Sequence, residues 1–453
     1  MRKVLDLKIS ISGIRGKIGE NFTPSLIIAF SEAFATYIGE GRIAVGYDTR
    51  PTRDMVKHAV FAGLISSGAI PVDVGILPIP SFQVYIKETK IRGGIAITAS
   101  HNPVEWNALK LVKKGGFFPF AYESEEILDI YYQGRFNRVD FFSGNPIKDP
   151  EAFKYHLDRL LNFADIEIIK KKRPRVVIDA CNGAASPYVE NFLKSFGCEV
   201  IAINTDPEAL FPRSPEPLPE NLGQLSEAVK KYGADIGFAQ DADADRLAVV
   251  DENGDPIGEE YTLALAIKYY LRFKKRSPVV VNLSTSRVIE DIVHSEGTIL
   301  ERTKVGEINV VEEMIKRGAR IGGEGNGGII VSDVHLCRDS FSGMVLFLEY
   351  ISRTGKSVST LKSELPRYYM KKGKIEVSLR DSIRIVTHFK ERHREGKISL
   401  KDGIRIDYPD YWIHLRLSNT EPVLRLIVEA KKKEVLEEVF QKIVGEIMNL
   451  KEA

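Results

Sequence analysis

The sequence has few cysteines and no long apolar run, and both absences limit what the protein can be. Only Cys181, Cys198 and Cys337 occur in 453 residues, and their spacing matches neither a zinc site nor a disulfide framework. We therefore expect reduced, mostly buried thiols. No run of about 18 apolar residues is present, and charge interrupts the N-terminus before any run of signal-peptide length. The sequence predicts a soluble, cytoplasmic protein with no membrane partner.

The chain also lacks an excess of charge of either sign. Lys and Arg total 64 and Asp and Glu total 62, so the formal net charge is +2. Nucleic-acid-binding domains usually carry an excess of positive charge, so no nucleic-acid partner is predicted. The short basic runs at 170–172 and 431–433 are interpreted as solvated helix ends or loops.

Length and residue pattern favour several α/β domains. At ~150 residues per domain, the chain is long enough for about three. Short β-branched runs at 42–48, 175–179 and 279–283 each lead through a polar or glycine-containing loop into a helix-period segment. Strands that alternate with helices in this way are typical of α/β folds. Because the rhythm recurs at similar spacing, we predict three related α/β domains in series.

After about residue 371 the rhythm changes. A strand at 375–379 precedes a charged helix, strands around Trp412 and Leu426, and a final helix over 433–450. This order predicts a smaller α+β domain. Turn residues at 142–146 and at 251–255, where Asn-Gly predicts a hairpin, suggest two of the boundaries. The predicted domains are 1–147, 148–253, 254–370 and 371–453.

A serine stands where the apolar run 94–97 ends. The segment Thr98–Pro103 reads TASHNP, and ligands of open α/β sheets gather at the carboxyl ends of strands. Ser100 is therefore predicted to be a reactive residue, with small neighbours that leave room for a bulky modification. Considered alone, the segment fits an Asx-Pro turn with an incidental serine equally well.

Three aspartates, Asp241, Asp243 and Asp245, alternate with alanine before Arg246. In an extended segment their carboxylates would point to one side, an arrangement that suits Mg²⁺. The spacing up to Glu252 also resembles an EF-hand, but Arg246 stands where that loop needs glycine, and the flanks predict strands. A solvated acidic loop is the remaining alternative, although three close carboxylates repel one another without a cation.

The segment Gly322–Gly328 contains the glycine spacing of a dinucleotide-binding loop. Such a loop opens a helix, whereas the apolar residues 329–331 predict a strand, so this interpretation fails. Glu324 and Asn326 among glycines better suit a loop that binds a polyhydroxyl ligand, and a plain hairpin is the alternative.

A fourth segment, 416–425, is rich in groups that bind phosphate. Two arginines, two hydroxyls and an amide occur within ten residues, and guanidinium, hydroxyl and loop N–H groups together bind phosphate well. The alternative is scattered surface charge. Arg15, in the segment 12–16, is a further candidate. The predicted phosphate ligands of the segment are Arg416, Ser418, Asn419, Thr420 and Arg425.

The identity and order of these segments resemble the α-D-phosphohexomutase superfamily, which includes phosphoglucomutase, phosphomannomutase and phosphoglucosamine mutase. The resemblance assigns 98–103 to the phosphoserine loop, 241–246 to the metal loop, 323–328 to the sugar-binding loop and 416–425 to the phosphate-binding loop. It covers nearly the whole chain. Three further short segments also match the family, namely 12–16, 46–50 and 107–110.

The resemblance implies three similar α/β domains and a smaller C-terminal domain around a central cleft. It implies that Ser100, phosphorylated in the resting enzyme, donates and accepts the phosphoryl group, with a hexose 1,6-bisphosphate as bound intermediate and activator. Mg²⁺ would be held by the serine phosphate and by Asp241, Asp243 and Asp245. The residues expected to bind the phosphosugar are Arg246, Glu324, Asn326, Arg416, Ser418, Asn419, Thr420 and Arg425, with Arg15 and His101 at the reacting phosphate.

Two departures from the family pattern affect the predicted roles. Asn326 and Gly328 replace a serine and a histidine that are common in the sugar-binding loop, and that histidine is a proposed acid/base group in some members. Its role could pass to His335, His101 or Lys110, of which we favour Lys110. In addition, Asn107-Ala108 stands where Asn-Gly is common, which is expected to alter only a turn.

The sugar is predicted from the two ligand loops. Ser-Asn-Thr-Glu-Pro at 418–422 favours the glucose and mannose members, whereas the loop at 323–328 resembles several specificities, glucosamine among them. We predict a mutase for glucose and/or mannose phosphates, with phosphoglucosamine mutase as the alternative. A phosphatase and a non-catalytic sugar-phosphate-binding protein are the other functions considered. The second usually loses the nucleophile or a metal ligand, and this chain keeps both.

Overall fold

A computed structural model of the protein describes residues 8–10, 13–140, 144–417 and 423–452. The described chain divides into two compact units, the first from 1–269 and 326–362 and the second from 270–325 and 363–453. Some residues of the predicted segments lie outside the described residues, namely Ser12, Phe142, Ser143 and the stretch 418–422.

The strands, in chain order, are β1 (Lys8–Ser10), β2 (Gly13–Lys17), β3 (Gly41–Tyr47), β4 (Ala69–Ile76), β5 (Gly93–Ile97), β6 (Trp106–Lys113), β7 (Ile147–Lys148), β8 (Arg175–Asp179), β9 (Glu199–Ile203), β10 (Ile236–Gln240), β11 (Leu247–Val250), β12 (Val279–Asn282), β13 (Leu300–Thr303), β14 (Ile321–Glu324), β15 (Gly328–Val331), β16 (His335–Arg338), β17 (Tyr369–Glu376), β18 (Lys397–Ser399), β19 (Ile404–Asp407), β20 (Tyr411–Leu417) and β21 (Val423–Ala430).

The α-helices are α1 (Pro24–Ile38), α2 (Arg53–Ser66), α3 (Ile79–Thr89), α4 (Ala121–Gln133), α5 (Ala152–Phe163), α6 (Ile166–Lys172), α7 (Val189–Ser195), α8 (Gly223–Tyr232), α9 (Glu259–Tyr269), α10 (Val288–Ser295), α11 (Glu307–Arg317), α12 (Ser340–Thr354), α13 (Val358–Ser363), α14 (Leu379–Arg392) and α15 (Lys433–Glu452). A 3-10 turn spans Pro219–Asn221 and a π-helical segment spans Tyr270–Lys274.

The first unit contains two mixed sheets that carry the predicted loops at their strand ends. One has the order β1-β2-β6-β5-β3-β4-β7, with β3 parallel to β4 and β5 and antiparallel pairs from β5 to β1. The other has the order β11-β10-β8-β9, in which only β11 is antiparallel. Helices between parallel strands confirm the α/β prediction. The strands β15 and β16 form a further antiparallel pair in this unit.

Apolar side chains on helices and strands form the cores of this unit. Around the first sheet, Phe30 and Phe34 of α1 pack with Val45 of β3 and Ile95 of β5, all of them buried. Helix α1 begins at Pro24 because Thr23 caps it: Thr23 Oγ1 accepts the Leu26 N–H at 3.4 Å, and proline is well tolerated in the first turn.

The second unit combines a parallel group with an antiparallel sheet. Strand β12 pairs in parallel with β13 and β14, and the sheet β17-β21-β20-β19-β18 is antiparallel throughout. Helices α14 and α15 supply Phe389 and Ile447 to the core of that sheet. The smaller α+β domain is thus confirmed as a fold.

The predicted strand at 375–379 is wrong in its bounds, and β18 and β19 were not predicted. Strand β17 ends at Glu376 because Ser378 caps α14, where its Oγ accepts the Asp381 N–H at 3.1 Å. The chain therefore has to leave the sheet two residues before Ser378 becomes the cap.

Two smaller predictions can also be compared with the structure. The three cysteines are free, buried thiols, as expected. Within the described ranges, none of the helices is both long enough and apolar enough to cross a membrane.

Candidate active site

Ser100 lies in the loop after β5, at the carboxyl end of the strand. Its backbone is left-handed with φ 50°, a conformation that is uncommon for a residue other than glycine. The Ser100 N–H donates to Thr98 Oγ1 at 3.0 Å, and the Ser100 Oγ donates to Asp241 Oδ2 at 2.8 Å. Ser100 is only 2% exposed. The loop therefore presents the serine hydroxyl to an aspartate that follows a strand of the other sheet.

Asp241, Asp243 and Asp245 lie in the connection between the antiparallel strands β10 and β11. The segment is a tight turn and not extended as the spacing argument assumed, since Ala244 has φ 58° and donates its N–H to the Asp241 carbonyl at 3.1 Å. The carboxylates converge nonetheless, with ligand atoms of all three within 4.8 Å of one another. The Asp245 N–H also donates to Asp241 Oδ1 at 3.1 Å, which fixes that carboxylate across the turn.

The buried carboxylates fit a hard cation. Burial raises the pKa of Asp241 well above its usual value, and the charges of Asp245 and Asp243 raise it further. Asp243 Oδ1 and Asp245 Oδ1 are buried and find no hydrogen-bond partner among the described residues. Such oxygens are costly unless a cation binds them, and an all-oxygen set suits Mg²⁺. Strands on both sides of the loop rule out the EF-hand alternative, which needs flanking helices.

Three cationic side chains already face the aspartates, and one of them is Arg246, whose Nε lies 3.9 Å from Asp245 Oδ1. Lys110 Nζ donates to Asp243 Oδ2 at 2.7 Å and lies 3.4 Å from Asp245 Oδ2. Burial disfavours the Lys110 ammonium, but the Asp243 and Asp245 carboxylates outweigh burial and raise the pKa of Lys110. Arg338, the last residue of β16, donates from Nη2 to Asp245 Oδ2 at 2.6 Å.

Sequence reasoning missed Arg338. The signal that could have found it is the one used for Ser100, a polar residue at the end of a short buried strand. In this case, however, the strand belongs to a hairpin remote in sequence from the metal loop, and nothing local indicated its partner.

Arg246, His101 and Arg15 surround the serine loop. Arg246 Nη2 donates to His101 Nδ1 at 3.0 Å, and its Nη1 pairs with Glu216 at 2.7 Å. Burial, followed by the charge of Arg246, holds the pKa of His101 well below its usual value, so the imidazole is neutral at pH 7. Arg15, on β2, donates from Nη1 to the Asn102 side-chain oxygen.

Asn326 lies in the first unit, in the turn before β15. Its Oδ1 accepts the Gly328 N–H at 3.1 Å. Strand β14 ends at Glu324 and β15 begins at Gly328 with no helix between them, which agrees with the rejection of a dinucleotide site.

Gly327 in this turn packs against the strand after the metal loop. The Leu247 N–H donates to the Gly327 carbonyl at 3.0 Å. A Cβ on Gly327 would lie 2.3 Å from the Leu247 carbonyl oxygen, and the residue has φ +81°. The turn and the strand that follows Asp245 are therefore packed backbone to backbone.

We predict that Gly327→Ala lowers the free energy of unfolding by about 3 kcal/mol, from left-handed strain plus a backbone clash. The matched control is Gly19→Ala, at φ +80° with no described atom within 4 Å of the added Cβ, where strain alone costs about 1 kcal/mol. Denaturant unfolding of both variants measures the difference. Equal losses would contradict the close packing of Gly327 on Leu247.

In the second unit, Glu324 lies at the end of β14 and is buried. Its Oε1 accepts hydrogen bonds from Asn282 Nδ2 and from the Gly306 N–H, both at 2.8 Å. These two donors orient the carboxylate at a strand end. Asn282, which ends β12, is a second residue that sequence reasoning did not identify.

Arg416 and Arg425 face each other as partners on β20 and β21. Arg416 Nε lies 3.8 Å from Asp402 Oδ2. Burial lowers the pKa of Arg416, the Asp402 carboxylate opposes that effect, and Arg425 adds to it. Two half-buried guanidinium groups on paired residues favour the binding of an anion between them. Ser418, Asn419 and Thr420, predicted to complete this loop, lie outside the described residues.

His335 was considered as an acid/base group, but its described contacts are with residues 116 and 117 and not with the aspartate turn. Its Nε2 donates to the Gly116 carbonyl at 2.9 Å and its ring packs against Phe117. Burial lowers the pKa of His335 to about 3, so the ring stays neutral. These contacts are those of a structural histidine.

Family-wide comparison covers almost the whole chain. Residues 7–138, 154–254 and 258–369 match phosphoglucomutase/phosphomannomutase alpha/beta/alpha domains I, II and III, and 377–446 matches the C-terminal domain of that family. The chain belongs to the phosphoglucomutase/phosphomannomutase family. It is accordingly an isomerase of the phosphohexomutase class, which confirms the resemblance inferred from the motifs.

The individual relatives of this chain are named after different sugar substrates. A phosphoglucomutase/phosphomannomutase of Thermococcus kodakarensis is 38% identical over 95% of this chain and 96% of its own length. A probable phosphoglucosamine mutase of Methanopyrus kandleri is 34% identical over 96% of both chains. The crystal structure of a phosphoglucomutase/phosphomannomutase family protein from Burkholderia thailandensis superposes with a TM-score of 0.84 at 25% identity, covering 97% of this chain and 98% of the other.

Proposed function

We propose that the enzyme interconverts hexose 1-phosphate and hexose 6-phosphate, with glucose and/or mannose as the sugar, through a phosphoryl group carried on Ser100. The observation that supports this most directly is the 2.8 Å hydrogen bond from Ser100 Oγ to Asp241 in a turn with three buried carboxylates. A serine hydroxyl held at a cation-seeking site is suited to carry a phosphoryl group.

The reaction consists of two in-line transfers in opposite directions. The first moves a phosphoryl group from Ser100 to the sugar, and the second moves the sugar's other phosphoryl group back to Ser100. A sugar hydroxyl oxygen attacks the phosphorus on Ser100 and the phosphorus–Oγ bond breaks. The sugar hydroxyl gives up one proton and Ser100 Oγ gains one, which yields a hexose 1,6-bisphosphate and a free serine hydroxyl. After the bisphosphate reorients, Ser100 Oγ attacks its other phosphorus and the sugar oxygen departs with a proton. No phosphate is lost in the cycle. A trace of free hexose 1,6-bisphosphate would phosphorylate Ser100 in any enzyme molecule that lacks the phosphoryl group.

Asp241, Asp243 and Asp245, together with an oxygen of the serine phosphate, would hold Mg²⁺. When bound, the ion supplies positive charge that offsets the charge of the transferring phosphoryl group. This assignment is supported by Asp243 Oδ1 and Asp245 Oδ1, which are buried and have no hydrogen-bond partner among the described residues.

Proton transfer in the proposal involves Lys110 and His101. Lys110 remains our proposed acid/base group in place of the family histidine, and as an ammonium it suits the donor role and the stabilisation of phosphate charge. His101, neutral and 3.4 Å from Ser100 Oγ through its Nδ1, would be the weaker base of the two, because burial lowers its pKa and Arg246 already donates to Nδ1. Arg15, next to Asn102 in the same loop, would contact the reacting phosphate.

The remaining predicted residues would bind the sugar and its second phosphate. Glu324, oriented by two N–H donors, is suited to accept hydrogen bonds from sugar hydroxyls. Asn326, two residues further along the predicted sugar-binding loop, is the other proposed sugar ligand. The paired Arg416 and Arg425 are suited to hold the phosphate that does not react, since guanidinium groups bind phosphate bidentately. Arg246 and the loop residues Ser418, Asn419 and Thr420 complete the proposed set.

Phosphoglucosamine mutase is the second candidate. The observation that favours it is the name of several relatives at 33–35% identity, such as those from Methanopyrus kandleri and Pyrococcus horikoshii. A protonated amine at carbon 2 of the sugar would require a hydrogen-bond acceptor or an anion beside that position. An assay of the three sugars distinguishes the two candidate functions.

We expect purified enzyme with Mg²⁺ and a trace of glucose 1,6-bisphosphate to convert α-glucose 1-phosphate and mannose 1-phosphate to their 6-phosphates. The kcat/KM for glucosamine 1-phosphate should be lower by about tenfold or more, because a site that selects a 2-hydroxyl binds a protonated amine at that position less well. Coupled assays of the three sugars measure the ranking. A preference for glucosamine 1-phosphate would replace the proposed sugar by the second candidate, while release of inorganic phosphate without isomerised sugar would indicate a phosphatase.

A further inference from the structure

Arg50 belongs to the segment 46–50, which the sequence matched to the family without a role. It follows β3 in the first unit and is wholly buried, with a relative exposure of 0%. A fully buried guanidinium group is rare unless it is paired and hydrogen-bonded, so its contacts show what the fold uses it for.

The guanidinium group of Arg50 holds the backbone of the serine loop. Its Nη2 donates to the Ser100 carbonyl at 2.9 Å and to the Asn102 carbonyl at 2.6 Å. Its Nη1 pairs with the buried Asp48 carboxylate, and its own N–H donates to Asp48 Oδ1 at 3.0 Å. A single side chain thereby fixes the carbonyls on both sides of His101.

The segment that carries Arg50 is attached in turn to the sheet that carries the aspartates. Thr49 Oγ1 donates to the Asn182 carbonyl at 2.6 Å, in the turn that follows β8. Strand β8 pairs in parallel with β10, the strand that leads to Asp241. Residues 48–50 therefore connect the backbone of the serine loop to the base of the metal loop.

This connection matters because Ser100 is held in an unfavourable conformation. A left-handed serine costs on the order of 1 kcal/mol and persists only where its surroundings enforce it. If the Ser100 and Asn102 carbonyls were released, the loop could relax to a right-handed turn. The Ser100 Oγ would then point away from Asp241, and the phosphorus would no longer lie in line for attack.

We propose that Arg50, supported by Asp48, is a positioning residue that holds Ser100 in the left-handed conformation required for phosphoryl transfer. The inference rests on the proposed function of Ser100. It concerns the rate of the transfer and not the binding of the sugar. The hydrogen bonds described for the Arg50 side chain go to the loop carbonyls and to Asp48, and its guanidinium group also lies over the Phe211 ring, 5.1 Å from the centroid.

The test compares Arg50→Lys with the wild-type enzyme. Lysine keeps the positive charge beside Asp48 but lacks the planar group that reaches two carbonyls at once. We expect kcat to fall about 100-fold, as for a displacement of about 1 Å at a reacting atom. KM for the hexose phosphate should stay within about threefold, since the groups proposed to bind substrate are unchanged. Arg53→Lys is the matched control, because Arg53 contacts Glu208, Pro207 and Thr49 but not the serine loop.

Each rate is divided by the fraction of enzyme phosphorylated on Ser100, measured by intact mass and peptide mapping at a temperature where both proteins are folded. This correction separates positioning from stability. A merely structural Arg50 would lower the yield of folded protein and leave kcat per phosphorylated site unchanged, and that result would overturn the inference. Equal kcat values for Arg50→Lys and Arg53→Lys would do the same.

A second variant, Arg50→Gln, keeps the test decisive if the lysine variant folds poorly. Glutamine is neutral and can reach at most one or two of the oxygens, so its corrected kcat should be lower than that of wild type by at least as much as that of Arg50→Lys. A corrected kcat equal to wild type would also overturn the inference. If the wild-type enzyme carries no phosphate on Ser100 after incubation with glucose 1,6-bisphosphate, the proposed function fails by itself, and that result is distinguishable from an Arg50 effect.

Discussion

Ser100→Ala is expected to lower kcat by at least on the order of 10⁴-fold, since it removes the atom that accepts and donates the phosphoryl group. The fold should survive, because the Ser100 side chain makes one strong hydrogen bond, to Asp241, and alanine preserves the backbone contacts of the loop. We expect the free energy of unfolding to change by less than about 1 kcal/mol. Steady-state mutase assays and denaturant unfolding measure the two quantities.

Ser31→Ala is the matched control. Ser31 is also a buried serine with one side-chain hydrogen bond, from its Oγ to the Ile27 carbonyl at 2.8 Å, but it lies within α1. Its kcat should equal that of wild type. If Ser100→Ala retained a tenth or more of the wild-type kcat, a different residue or a direct transfer between sugars would have to carry the phosphoryl group.

Asp243→Asn is the second change with a large expected effect. It removes the charge that pairs with Lys110 at 2.7 Å and one of the proposed Mg²⁺ ligands. We expect kcat to fall on the order of 10³-fold, because several kcal/mol of charge stabilisation in the transition state would be lost.

The binding of Mg²⁺ gives a measurement independent of activity. Millimolar Mg²⁺ should raise the midpoint of thermal unfolding of the wild type, because an ion that binds only the folded state stabilises it, and EDTA should reverse the shift. Asp243→Asn should show little or no shift. Asp251→Asn is the control, since Asp251 accepts N–H groups of its own turn and lies outside the metal loop. A full Mg²⁺ shift in Asp243→Asn would contradict the assignment of the aspartates.

The sequence was sufficient to select the serine and the three aspartates that the structure brings together, because each lies in a short segment that directly follows a predictable strand. Convergence of the carboxylates was predicted from an extended segment, but the protein achieves it with a turn and a left-handed Ala244, which alternating residues do not reveal. Strands β18 and β19 were missed since they are short and their pattern is weak next to the charged helix α14.

Contacts between residues that are far apart in the chain could not be predicted from a single sequence. Arg338 meets Asp245 from a hairpin about ninety positions further on, and Arg50 meets the serine loop from fifty positions before it. Their partners are set by the order of strands in the sheets, which local patterns do not encode. The assignment of the phosphate-binding loop stays a prediction for all its residues. Arg416 and Arg425 are partners on β20 and β21, and residues 418–420 lie outside the described residues.

The central claim is that the phosphoryl group passes through Ser100, and a transfer experiment tests it most directly. Enzyme is incubated with labelled glucose 1,6-bisphosphate, freed of ligand, digested and mapped by mass spectrometry, before and after addition of unlabelled hexose 1-phosphate. We predict one phosphoryl group on the peptide that contains Ser100, at that residue, and its transfer to labelled bisphosphate when the sugar is added. A label on another residue, or a label on Ser100 that the sugar does not remove at the rate of turnover, would contradict the account.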